Sequence, residues 1–140
     1  MKNPLKTLER IKKFEVDEQR RLLVVELDKL DNLQKKLNDM IARYEHEKDF
    51  VAANPTICDF GAYTKQYLKD KKNVEQQIAK IENKIEAIRD VMADIFKEQK
   101  TFEIVERSRK EKEQKELDDQ SKKMLDEIGT NTYIKKHQQQ

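Results

Sequence analysis

The strongest pattern in the chain is a heptad repeat of apolar residues in its second half. From Val74 to Ile95 the spacing between apolar positions alternates between four and three residues without interruption. A helix with this spacing buries a narrow apolar seam against a partner helix, as in a coiled coil. The members that recur every seven residues are Phe60, Tyr67, Val74, Ile81, Ile88, Ile95 and Phe102.

The first half also has helical spacing of apolar residues, but it is less regular. Asn3 and Pro4 suit a helix start, because Asn accepts the free N–H groups of the first turn and Pro fits the first helical position. A polar gap around Glu18 to Arg21 then interrupts the apolar face. The apolar positions are Leu5, Leu8, Ile11, Val16, Leu23, Leu27, Leu30, Leu33, Leu37, Met40, Ile41 and Tyr44. We predict a first helix over about residues 4–53.

A turn separates the two patterns. Pro55 disfavours helical geometry at the residue before it, and Thr56 followed by Asp59 is typical of a helix N-terminal cap with an acid in the first turn. We place the turn at about residues 54–58 and the second helix at about residues 57–128.

The end of the second helix is predicted from Gly129. Glycine is the residue most often found just after a helix, and Gly129 directly follows Ile128, the last of the apolar residues with helical spacing. We expect residues 129–140 to form a polar, disordered tail.

The lengths of the two patterns indicate that they pair within one chain. If the chain folds back near Thr56, antiparallel pairing places Leu5 opposite roughly residue 107, because both helices rise equally per residue. The seam of the second helix ends at Phe102 and Val105, where the first helix runs out. We predict an all-α fold: a long antiparallel two-helix coiled-coil hairpin, one domain over residues 1–140, with a C-terminal overhang of the second helix. The chain is expected to be a monomer by itself.

The predicted overhang combines a charged segment with returning apolar residues. Residues 106–116 include no apolar side chain, and oppositely charged residues four apart support a solvated helix there by about a few tenths of a kcal/mol per pair. Apolar side chains on such a marginal helix favour a role as a docking element that a partner buries. They are Leu117, Met124, Leu125 and Ile128.

Composition narrows the classes of function. Charged residues make up 41 % of the chain and only two Gly and two Pro occur in 140 residues, which is typical of long helices and not of a globular enzyme. His46, Cys58 and His137 are isolated, and no phosphate-binding loop or metal-ligand spacing occurs. We therefore expect no enzymatic activity, no cofactor, no metal and no small-molecule substrate.

Charge and hydropathy narrow the compartment and the partners. The net charge of +2 arises from 30 basic and 28 acidic residues, so the one-sided field expected of a nucleic-acid-binding protein is absent. The N-terminus lacks the apolar core of a signal peptide, and the apolar runs are short. We expect a soluble protein that does not bind nucleic acid.

Aromatic residues concentrate around the turn, and two interpretations stay open. The rings either pack the end of the hairpin or stay partly exposed as anchors for a partner, since a two-helix tip cannot bury them all. They are Tyr44, Phe50, Phe60, Tyr63 and Tyr67.

Several ordered landmarks resemble one known family. The N-terminal stretch "LKTLERIKKFEVDEQRRLL" has a leucine-rich opening and contains "VDE", while "FGAYTKQYL" follows the turn and "LDEI" lies near the C-terminus. Over nearly the whole chain, these landmarks and the hairpin layout resemble the FliJ family of the bacterial flagellar export apparatus. The resemblance implies a coiled-coil hairpin similar to the stalk of rotary ATPases.

The resemblance also implies partners and site residues. A member of this family would bind the flagellar export ATPase hexamer with its terminal end and the membrane export-gate protein with its turn side. It would also escort export chaperones, in the cytoplasm and peripherally at the inner membrane of the flagellar base. The implied ATPase-binding candidates are Leu5, Leu8, Ile11, Val16, Leu125, Asp126 and Glu127, to which the overhang adds Leu117 and Met124. The implied export-gate-binding candidates are Met40, Tyr44, Tyr63 and Tyr67.

Two other classes remain as alternatives. A structural or scaffolding coiled coil that dimerises through the heptad seam explains the heptads, but it explains neither the break at Pro55 nor the matched lengths of the two patterns. A prefoldin-like holdase also uses a helical hairpin, yet it needs strands between its helices, and the residues around Pro55 are too few and too poor in β-branched members to form them.

Overall fold

Two long α-helices account for nearly all of the structure. The computed structural model describes residues 4–54 and 59–138. Helix α1 spans Pro4–Ala53 and helix α2 spans Phe60–Gln138. The helices pack against each other, and the described ranges contain no strand, which confirms the predicted all-α helical hairpin. The bounds of α1 agree with the predicted first helix.

Hydrogen bonds satisfy backbone groups at the two helix ends that flank residues 55–58. The backbone N–H of Asn54 donates to the carbonyl of Val51 at 3.1 Å, and its side-chain amide donates to the carbonyl of Phe50 at 3.1 Å. On the other side, the N–H of Ala62 donates to Asp59 Oδ1 at 3.3 Å. Asp59 is therefore the N-cap of α2, since it satisfies a free N–H of the first turn.

This cap corrects the predicted start of the second helix. The helix begins at Phe60 and not near residue 57, because the carboxylate of Asp59 stabilises the first turn from the cap position. Other predicted features of the helix ends lie outside the described residues, namely Asn3, Pro55, Thr56 and Cys58.

The predicted end of the second helix is wrong. Helix α2 continues through Gly129, which has no positive φ, and ends at Gln138. One glycine destabilises a helix interior by only about 1 kcal/mol, so Gly129 does not by itself end the helix. Thr130 Oγ1 donates to the carbonyl of Asp126 at 2.9 Å, and the last turn carries basic residues that interact favourably with the helix dipole.

The chain divides into two compact units. One comprises Ile11–Phe96, and the other combines Met1–Arg10 with Lys97–Gln140. The prediction of a single domain over residues 1–140 stays a prediction.

The helices of the 11–96 unit run antiparallel with a heptad register. Tyr44 contacts Phe60 and Tyr67, whereas Leu27 lines a groove with Ile85. Residues earlier in α1 thus face residues later in α2, as antiparallel helices require. Side chains of α2 that are buried or half-buried are spaced by four and three residues, which confirms the predicted seam. They are Phe60, Thr64, Tyr67, Lys71, Val74, Ile78, Ile81, Ile85, Ile88, Met92 and Ile95.

The seam of α1 differs from the apolar face that the sequence suggests. It continues through the predicted polar gap by means of half-buried Gln19, and it then includes Glu26 instead of Leu27, which is 38 % exposed. Alternating steps of three and four residues lead along α1 from Val16 through Gln19 and Leu23 to Glu26. Glu26 and not Leu27 therefore lies at the position that faces the regular seam of α2. Glu26 Oε1 accepts from Lys29 Nζ at 3.3 Å, while Glu26 Oε2 is buried without a hydrogen-bond partner.

The second unit contains a short paired part and a long unpaired one. Glu9 lines a groove with Glu103, Glu106 and Arg107 of α2, which agrees with the predicted alignment of Leu5 with roughly residue 107. Every residue from 107 to 138 is exposed, so this segment of α2 extends beyond the paired part of its unit.

We expect substitutions in the seam to destabilise the protein far more than equivalent substitutions in the unpaired segment. Ile85 is 5 % exposed and Ile128 is 56 % exposed. Ile85→Ala should lower the free energy of unfolding by about 2 to 4 kcal/mol, because it leaves a cavity in the seam. Ile128→Ala should change it by less than about 0.5 kcal/mol. Urea unfolding followed by circular dichroism measures both, and equal losses would contradict the assigned seam.

Candidate interaction sites

Four aromatic rings form a stack beside the connection between the helices. Tyr44 of α1 lies at the centre, with its ring centroid 4.0 Å from that of Tyr67 and 5.5 Å from that of Phe60. Tyr63 extends the stack, since its centroid lies 5.6 Å from that of Phe60 and 6.2 Å from that of Tyr44. We call these four residues the ring stack.

The heptad register of α2 builds this stack. Phe60 and Tyr67 are seven residues apart and both lie on the seam, so their rings point toward α1. Tyr44 occupies the matching seam position of α1, and its hydroxyl lies 3.2 Å from Thr64 Oγ1, within hydrogen-bond distance. The hydroxyl of this half-buried ring is therefore satisfied at the polar seam position of α2.

The ring stack answers the question that the sequence leaves open. Tyr44, Phe60 and Tyr67 are half-buried and pack the end of the helix pair. Tyr63 is 39 % exposed and Phe50 is 49 % exposed, so these two rings present apolar surface to solvent. The aromatic residues thus divide into a packing group and an exposed group.

Three of the four predicted export-gate-binding residues share one groove. Met40, Tyr63 and Tyr67 line a groove of about 210 Å³, and Tyr44 contacts it from the ring stack. Sequence reasoning missed three further residues that line it: Arg43, Gln66 and Asp70. We call this the turn-side groove.

The missed residues add polar chemistry to the turn-side groove. Gln66 Nε2 donates to Asp70 Oδ1 at 2.9 Å, which orients the carboxylate, while Arg43 supplies a guanidinium. The sequence offers a signal for them, because each directly precedes a seam residue and so lies beside the seam: Arg43 precedes Tyr44, Gln66 precedes Tyr67 and Asp70 precedes Lys71. The groove therefore combines exposed aromatic surface with both signs of charge, as anchor positions of protein interfaces do.

The predicted ATPase-binding residues fall into different environments. Leu5 and Leu8 belong to the unit that contains the unpaired segment, whereas Ile11 and Val16 belong to the 11–96 unit. Val16 is only 3 % exposed and lies in the core, so its side chain is not available at the surface. The remaining candidates are exposed on α2: Leu117, Met124, Leu125, Asp126 and Glu127.

The unpaired segment carries an apolar stripe. Leu117, Met124 and Ile128 follow at steps of seven and four residues, which places them on one side of the helix at about 100° per residue. Their exposed fractions are 58 %, 65 % and 56 %. We call these three residues the exposed stripe.

Two exposed apolar residues in the last turns were missed. Tyr133 is 63 % exposed and Ile134 is 45 % exposed, in a region that the sequence assigns to a disordered tail. The ring centroids of Tyr133 and His137 lie 4.0 Å apart, as neighbours four residues apart on a helix do. The helix end thus adds apolar surface to the unpaired segment.

Other chemistry is limited in the described part of the chain. No group of three or more His, Cys, Asp or Glu side chains within residues 4–54 and 59–138 is arranged to hold a metal ion. Neither helix, over its described residues, includes a stretch that is both long and apolar enough to cross a lipid bilayer. Comparison with protein-family models, with curated proteins and with solved structures gives no match to this chain.

We expect Tyr67 and Tyr63 to differ in their contribution to stability. Tyr67→Ala removes a half-buried ring stacked on Tyr44, so it should lower the free energy of unfolding by about 2 to 3 kcal/mol. Tyr63→Ala removes a more exposed ring and should lower it by about 1 kcal/mol or less. Urea unfolding of the two variants gives the comparison. An equal or larger loss for Tyr63→Ala would contradict the division into packing and exposed rings.

Proposed function

We propose that this chain is a non-enzymatic, stalk-like component of the bacterial flagellar type III protein export apparatus. In this proposal the unpaired segment of α2 binds the export ATPase hexamer, and the turn-side groove binds the membrane export-gate protein. The chain acts in the cytoplasm, peripherally at the inner membrane of the flagellar base, and escorts export chaperones. The family resemblance of the sequence supports the identity of these partners.

The exposed stripe is the observation that carries the proposal. A helical segment without a partner helix is expected to be polar on all sides, because exposed apolar side chains gain nothing from a marginal helix. This segment instead keeps Leu117, Met124 and Ile128 on one side. An apolar stripe on a solvated helix suits a partner that buries it in a groove.

Charge on the rest of the segment supports a polar surround for that contact. Arg109 Nε lies 3.4 Å from Glu113 Oε1, and Gln114 Nε2 donates to Asp118 Oδ1 at 3.0 Å. Each of these pairs, four residues apart, stabilises the helix by about a few tenths of a kcal/mol, and their charges keep the segment soluble. A ring lined by mixed charge around an apolar contact would accommodate such a segment.

The alternatives account for fewer of these features. The seam of α2 in the 11–96 unit is occupied by α1, so a scaffold that dimerises through this seam would first have to separate the helices. A prefoldin-like holdase requires strands, and the described ranges contain none.

Binding to the ATPase is tested by removing the exposed stripe without removing the helix. The triple variant Leu117→Ser, Met124→Ser, Ile128→Ser should bind the purified flagellar export ATPase at least about tenfold more weakly, because it loses the buried apolar anchors. Its stimulation of ATP turnover should fall towards the level without this protein. Isothermal titration calorimetry and a turnover assay provide the measurements.

A matched control separates the stripe from helix propensity. Lys115→Ser, Asp119→Ser and Lys122→Ser place the same number of serines on the opposite side of the same segment, and this variant should bind and stimulate like wild type. Undiminished stimulation by the stripe variant would contradict the docking role. Failure of the wild-type chain to bind the ATPase would contradict the flagellar assignment.

Binding to the export gate is tested at the rim of the turn-side groove. Tyr63→Ala should weaken binding to the cytoplasmic domain of the gate protein by about tenfold, because it removes an exposed aromatic anchor while the rings of Tyr44, Phe60 and Tyr67 stay stacked. Leu68→Ala provides the control, since Leu68 is 56 % exposed and does not line the groove. Equal affinity of Tyr63→Ala and wild type would contradict the role of the groove.

A further inference from the structure

A second apolar surface lies on the 11–96 unit, away from the turn-side groove. Leu22 is 51 % exposed and Val25 is 50 % exposed on α1, and Val91 is 44 % exposed on α2. None of the three occupies the seam, which uses Leu23 and Met92 at the adjacent positions. Burial inside the helix pair therefore does not explain their apolar character.

The heptad register brings these residues together on one face. Lys36 of α1 and Gln77 of α2 line the same groove beside the seam. Leu22 lies two heptads before Lys36 in α1, and Val91 lies two heptads after Gln77 in α2. Since the helices are antiparallel and keep one register, Leu22 and Val91 flank the same side of the seam and form one apolar layer with Val25.

Charges border this layer with opposite signs at its two ends. On α1 the order is Glu18, then Leu22, then Lys29. On α2, read in the same direction along the pair, it is Asp94, then Val91, then Lys84. Both helices therefore present acid at one end of the layer and base at the other.

The spacing of these charges is nearly equal on the two helices. At about 1.5 Å per residue, Glu18 and Lys29 are about 16 Å apart along α1, and Asp94 and Lys84 are about 15 Å apart along α2. The middle of each interval falls next to the apolar layer. We call the three apolar and four charged residues the self-complementary face.

We propose that a second copy of this chain docks on the self-complementary face in antiparallel orientation. A two-fold rotation about the apolar layer places Glu18 against Lys29 of the second copy and Asp94 against Lys84 of the second copy. The same rotation covers Leu22, Val25 and Val91 with their own equivalents. An interface of this kind uses one patch on both subunits, as isologous dimers do.

The pairs available within one chain leave these charges free to engage. Glu18 accepts from Arg21 Nη1 at 2.9 Å, and Lys29 donates to Glu26 at 3.3 Å. The Glu18–Arg21 pair is exposed on both sides and contributes little, so Glu18 can turn toward a second copy at small expense. Lys29 keeps its bond to Glu26, which is 13 % exposed, and offers the other donors of its ammonium group to the second copy. Asp94 and Lys84 have no ion-pair partner within the described ranges.

The choice of a second copy follows from the pattern itself. Another helix would fit only if it carried acid, apolar and basic positions in reverse order at the same spacing, and this chain supplies that order after a two-fold rotation. The small apolar layer predicts a weak dimer, with a dissociation constant of about 1 μM or higher. The sequence predicts a monomer, and a weak dimer through the self-complementary face would revise that prediction at high protein concentration.

Sedimentation velocity of the full chain tests the proposal over concentrations from about 10 μM to 1 mM. Wild type should show a dimer that increases with concentration. Leu22→Asp should weaken association by at least about tenfold, since it places charge in the apolar layer. Leu68→Asp, at an exposed position on the other side of the pair, should associate like wild type. Circular dichroism at 222 nm verifies that each variant keeps its helix content.

A charge swap tests the antiparallel orientation. Lys84→Glu should weaken association by about tenfold, because it opposes Asp94 of the second copy at two symmetric places. Adding Asp94→Lys recreates opposite charges and should restore association to within about threefold of wild type. A wild-type chain that stays monomeric throughout overturns the proposal and leaves the face to a different helix. Unchanged association of Leu22→Asp, or no restoration by the swap, also overturns it.

Discussion

The structure depends on the burial of a single seam between two helices. Two helices side by side can enclose only one row of side chains, whereas a bundle encloses a volume. Among the described residues only Val16, Val74, Ile85 and Ile95 are buried, at 3 to 7 % exposure, and each lies on this seam. Steps of four and three residues hold the row in place, so the register of the helix pair decides which side chains are buried.

Polar residues within the seam contribute to this register. Thr64 satisfies the hydroxyl of Tyr44, and Glu26 places a carboxylate between apolar neighbours with one oxygen lacking a partner. Coiled coils use such residues to specify alignment at some expense of stability. A shift of the helices by one heptad would separate Tyr44 from Thr64, which favours the observed alignment over its neighbours.

Because the seam is so narrow, interaction surfaces lie beside it and beyond it. The turn-side groove uses residues that flank seam positions, and the self-complementary face uses others on the same helices. The exposed stripe lies where the seam has ended and α2 has no partner helix in its unit. That segment depends on helix propensity and on pairs such as Arg109 with Glu113, so it is of low local stability and gains most from a binding partner.

The sequence by itself determined the fold class, the bounds of α1 and the seam of α2, because heptad periodicity is a local property that one helix displays without its partner. It did not determine the end of α2, since Gly129 only weakens a helix and other residues decide whether it continues. It also misplaced Leu27 relative to Glu26 and left the aromatic residues undivided. Those outcomes depend on which position of one helix faces which position of the other, and only the tertiary structure decided this alignment.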